Sequence, residues 1–79
     1  MAEVPTPEEN ARKILALFQR ANLRAGQVMM AGALRLQATQ AGMHNTDIMS
    51  GLGFARDHGW IEDGPNGTVR LTDAGFSAV

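Results

Sequence analysis

Between Gly59 and Phe76 the chain reads Gly-Trp-Ile-Glu-Asp-Gly-Pro-Asn-Gly-Thr-Val-Arg-Leu-Thr-Asp-Ala-Gly-Phe. Two short apolar runs, Trp60-Ile61 and Val69-Arg70-Leu71, flank a turn that holds Asp63-Gly64 and Asn66-Gly67. Such dipeptides supply the positive φ angles that tight hairpins need. The chain is therefore expected to close with a β-hairpin. Everything before it has helical spacing, so the fold class predicted is α+β, mainly α, with three helices and a C-terminal hairpin.

The first helix has an explicit start. Thr6 can cap, Pro7 suits the first helical position, and Glu9 completes a capping box. The stripe Ala11, Ile14, Leu15, Phe18, Ala21 recurs at helical intervals and places this helix at about Pro7 to Ala21, with Asn22 near its end. Gly26 interrupts the pattern. A second helix is expected from about Gln27 to Gln40, closed by Gly42 as a left-handed cap. It carries two apolar stripes: Met30, Leu34, Ala38 and Ala41, and Met29, Gly32, Ala33 and Leu36. A helix apolar over most of its circumference either lies centrally in a core or meets a partner. Asn45 or Thr46 can cap a third helix, with Asp47 in its first turn. Ile48, Leu52 and Ala55 form its core stripe, and Gly59 stops it. Gly51 is read as a close packing point for helix 1 or helix 2. Trp60 is read as the anchor between hairpin and helices, and Phe76 as a cover for the sheet.

With 79 residues the chain holds one domain. Residues 1–5 read as a flexible arm and 6–79 as the domain. The absence of cysteine rules out disulfides, a thiolate nucleophile and Cys-ligated zinc. The N-terminus lacks a signal-peptide layout, and no apolar run approaches the roughly 18 residues of a membrane span. A cytoplasmic location without membrane attachment is expected. Catalysis is not: His44 and His58 sit at opposite ends of the third helix, and no acid, base and nucleophile cluster in the sequence. Gly51-Leu52-Gly53 follows no strand and lacks the third glycine of a dinucleotide fingerprint. No cofactor or metal is implied.

The stretch from Asp47-Ile48 to Ala55-Arg56-Asp57-His58-Gly59-Trp60-Ile61, followed by Leu71-Thr72-Asp73-Ala74-Gly75, resembles winged helix-turn-helix regulators, notably the MarR type. In those proteins a helix ends in a glycine, two apolar residues begin the wing, and an LT-x-x-G element follows it. The resemblance covers about residues 45–76. It implies the order helix, short strand, helix, helix, strand, wing, strand, with the first strand near Ala25–Val28. It also implies transcription regulation, with the third helix in the DNA major groove and the wing against the minor groove or backbone. Members of the family add flanking helices for dimerisation; this chain corresponds to the minimal core.

Charge bears on that function. The net charge is −1, whereas DNA affinity rests largely on Lys and Arg at phosphates. Residues 59–79 carry Arg70 against Glu62, Asp63 and Asp73, so the hairpin is acidic. Two function classes are therefore expected from the same fold. In a DNA-binding regulator, Thr46, Met49, Ser50, Gly53 and Arg56 of the third helix meet the groove, while Arg70, Arg12 and Lys13 meet phosphates. In a non-catalytic protein-interaction or dimerisation module, the contact surface is Met29, Ala33 and Leu36, or Met49 and Phe54. The partner is then double-stranded DNA in one case and a protein, including a second copy of the chain, in the other.

Overall fold

Thr6 sets the first helix. Its hydroxyl accepts the Glu9 backbone N–H at 3.1 Å and donates to the Glu9 carboxylate at 3.2 Å, and Pro7 opens α1 (Pro7–Arg20). In this computed structural model, which describes residues 6–78, the helix ends as Asn22 turns left-handed at φ 59°. The expected arm at residues 1–5 lies outside the described residues, as does Val79. Ala11, Ile14, Leu15 and Phe18 are fully buried, and Leu17 joins them, whereas Ala21 is exposed.

The chain then departs from the expected long second helix. Val28–Met30 form a strand, β1, and α2 is confined to Ala31–Gln40. The strand lies slightly later than the Ala25–Val28 segment implied by the family resemblance. Its apolar residues continue into a helical sequence without a break, and what makes it a strand is distant pairing. Val28, Met29 and Met30 face Arg70, Val69 and Thr68 in antiparallel register. Gly42, at φ +93°, ends α2 as expected for a glycine cap. The turn 41–44 leads directly to α3 (Asn45–Asp57). His44, rather than Asn45 or Thr46, occupies the cap position, so the helix begins one residue earlier than expected and without a side-chain cap.

After α3 come β2 (Ile61–Asp63), a single 3-10 turn at Pro65–Gly67, and β3 (Thr68–Leu71). The left-handed residues of this turn are Asn66 (φ 55°) and Gly67 (φ 74°), whereas Gly64 is extended at φ −99°. The three strands order as β1-β3-β2, all antiparallel. A fourth helix, α4 (Asp73–Ala78), follows, so the described residues form four helices and not three. Thr72 immediately precedes the extra helix, and its hydroxyl accepts the Gly75 N–H at 3.0 Å and donates to the Gly59 carbonyl. Phe76 lies beside Gln19 of α1 and Leu71 of β3 with half of its surface exposed.

The core is a wedge between α1, α3 and one sheet face, built from Ile14, Leu15, Phe18, Leu34, Ile48, Ile61, Val69 and Leu71. Helix α1 packs most closely on α3. Gly51 makes that contact possible: a Cβ there would lie 2.7 Å from the Asn10 backbone carbon and 2.8 Å from Ile14 Cδ1. Asn10 itself is 1% exposed, and its Oδ1 is buried without a hydrogen-bond partner. A buried, unpaired amide oxygen costs about 1–3 kcal/mol. Replacing it by a side chain of similar shape is therefore expected to stabilise the domain. Asn10→Leu should raise the thermal midpoint by several degrees in a melt followed by circular dichroism; a lower midpoint would show that the amide is better satisfied than its surroundings indicate.

Candidate nucleic-acid interface

Helix α3 is amphipathic along its length. Ile48, Gly51 and Ala55 face α1 and the sheet and are buried; Leu52 is half-buried on the same side. The opposite side carries Thr46, Met49 and Gly53, all exposed, with Ser50 half-buried beside them. Met49 is 52% exposed, and apart from its chain neighbours and the backbone of its own helix no atom lies within 4 Å of where a Gly53 Cβ would stand. Residues 49 and 53 are one turn apart and so share a face. That face is an apolar ledge with a gap next to it.

Two arginines line the shallow groove that this ledge forms with α2 and β3. The groove measures about 240 Å³ and is floored by Ala31, Leu34, Leu52 and Val69. Arg35 reaches across from α2, with its guanidinium 3.5 Å from the Met49 sulfur, a weak acceptor. Arg56 also lines the groove and pairs with Asp63 of β2 at 2.8 Å. Arg35 was not among the sequence-predicted site residues. Its position depends on how α2 crosses α3, which no local motif encodes. Among the described residues there are three ion pairs, and Arg35 is in none of them.

Of the other expected phosphate contacts, Arg70 and Arg12 are engaged internally. Arg70 on β3 donates to Glu62 on the neighbouring strand at 2.9 Å, across a directly opposed pair of residues. Arg12 donates to Glu8 at 3.1 Å and to the Ala78 carbonyl at 2.8 Å, and its guanidinium lies 5.1 Å from the centre of the Trp60 ring. It ties α1 to α4 and the base of the hairpin. Lys13 stands apart from the α3 face, beside Arg20 and the turn that follows α2.

The alternative contact residues divide. Met29 is 8% exposed and belongs to the core through β1, not to an open helix face. Phe54 is half-buried: it stacks on His58 with ring centres 3.9 Å apart and meets Trp60 edge-on at 5.5 Å. Ala33 and Leu36 do lie on the outward side of α2, with Leu36 58% exposed. Of the two apolar stripes expected on this helix, Leu34 and Ala38 are buried, whereas Gly32, Ala33 and Leu36 are exposed. Among the described residues no group of three histidine or acidic side chains could hold a metal ion, and no helix is long and apolar enough to cross a membrane. No protein-family model, curated protein or solved structure matches this chain.

Proposed function

We propose that this chain is a winged helix-turn-helix protein that binds double-stranded DNA, with α3 as the recognition helix and the β2–β3 hairpin as the wing. The observation that carries this reading is the uncovered Thr46–Met49–Gly53 face of α3, placed after a short turn from α2 and with Arg35 lining the groove beside it. A helix presented in this way fits a major groove, with the flanking cations at phosphates. The element order α1-β1-α2-α3-β2-β3 and the strand order β1-β3-β2 support the winged-helix reading. The weight of phosphate contact falls on Arg35, because Arg12, Arg56 and Arg70 each have an internal partner.

Fluorescence anisotropy of a labelled mixed-sequence duplex tests this reading. The wild-type chain is expected to bind at low salt and to lose affinity steeply as salt rises. Arg35→Glu is expected to weaken low-salt binding by about tenfold or more while leaving the thermal midpoint nearly unchanged, since the side chain is exposed. A flat trace for the wild type at low salt would overturn DNA binding. The exposed Leu36 and Met49 would then direct attention to a protein partner.

A further inference from the structure

We infer that the groove between α2, α3 and β3 selects thymine, through contact of Met49 with the C5-methyl group; this deepens the DNA-binding reading and rests on it. The side chains on the open face of α3 are unusual for base recognition. Bidentate readers of purine edges are Arg, Lys, Asn and Gln. None of these occupies the middle of the face, where Met49 and Gly53 sit one turn apart. What the face does offer is an exposed, polarisable thioether side chain and, beside it, space left by a residue without a side chain. Thymine is the only base that presents an apolar group in the major groove, and apolar contact with its methyl is an established mode of readout.

The occupant is also anionic. Arg35, which is in none of the ion pairs among the described residues, lines the same groove as Met49 and Gly53; Arg56 lines it too but is held by Asp63. An apolar floor beside an unpaired guanidinium suits a ligand that carries a small apolar group and a negative charge. A thymine-bearing strand meets that description with its methyl group and its phosphates. Arg35 also touches the Met49 sulfur and so restrains the thioether over the groove. Gly53 permits close approach, because a larger residue there would project towards the base that Met49 has to reach.

The test compares two labelled duplexes in anisotropy titrations at low salt: alternating dA·dT, and the same duplex with deoxyuridine in place of thymidine. They differ only in the C5-methyl groups. The wild-type chain is expected to prefer the thymidine duplex by about fourfold for each methyl group contacted. Met49→Ala is expected to bring the ratio to about one while retaining salt-sensitive binding to both duplexes. Equal binding of the two by the wild type overturns the inference and leaves DNA binding standing. So does an undiminished preference in Met49→Ala. Failure to bind either duplex overturns both readings and leaves the groove to an acidic protein segment.

Discussion

Gly51→Ala and Gly53→Ala, two residues apart on the same helix, are expected to move stability in opposite directions. Alanine is favoured over glycine in a helix interior by about 1 kcal/mol. At position 53 nothing opposes that gain, because the space around the new methyl is open. The thermal midpoint should rise by about 4–8 °C. At position 51 the methyl meets the backbone of Asn10 at 2.7 Å, and a helix backbone cannot step aside as a side chain can. Overpacking costs of about 1–3 kcal/mol apply, at the upper end here, and they exceed the helical gain. Gly51→Ala should lower the midpoint by roughly 10 °C. Gly51→Leu should leave the chain unfolded, since α1 and α3 form the closest helix contact of the core. Calorimetry or thermal circular dichroism decides it, and a neutral Gly51→Ala would mean that α1 and α3 are less closely apposed than the distances indicate.

Charge reversal on the hairpin is expected to give the largest functional change. Glu62 and Asp63 each hold an arginine, Arg70 and Arg56, and both sit on the strand nearest α3 in sequence. A phosphate approaching this side meets cations already neutralised by neighbouring carboxylates. Replacing both acids by lysine releases the two arginines and adds two further cations. Low-salt affinity for a mixed duplex should rise by about 100-fold, and the dependence of log K on log salt should steepen by about 0.9 per added phosphate contact. The cost to stability is expected to stay within about 1 kcal/mol, because exposed ion pairs contribute little. Unchanged affinity with an unchanged salt slope would place the hairpin away from the nucleic acid.

Several elements are legible in the sequence itself. The start of α1 was written locally, in Thr6, Pro7 and Glu9, and its buried side in the spacing of Ala11, Ile14, Leu15 and Phe18. The end of α2 was written in Gly42. Gly51 is legible as a packing point because it lies beside the Ile48–Leu52 stripe. Strand β1 was not legible at this level: Val28, Met29 and Met30 merge with the apolar start of α2, and their partners Thr68, Val69 and Arg70 lie about forty residues away. Helix α4 was visible only as a turn, since six residues are too few for periodicity to emerge.

The candidate site was legible in the same uneven way. Helical spacing alone put Thr46, Met49 and Gly53 on one face. It could not show that Arg35 approaches that face from another helix, or that Arg56 is held by Asp63. Nor could it show that Arg12 binds Glu8 and the Ala78 carbonyl beside Trp60. These are facts of tertiary geometry. They redistribute the cations that a count of charges treats as equivalent.

The Thr72 hydroxyl binds both the Gly59 carbonyl, where α3 ends, and the Gly75 N–H, where α4 begins. It therefore fastens the two feet of the hairpin together, independently of what happens at the tip. A loop closed at its base pays only a logarithmic entropy for extra length, about 0.6 kcal/mol for each doubling. The segment around Pro65–Gly67 is thus free to lengthen, shorten or change charge across generations without disturbing the core. The hairpin tip can vary in length and charge while the helices keep their packing.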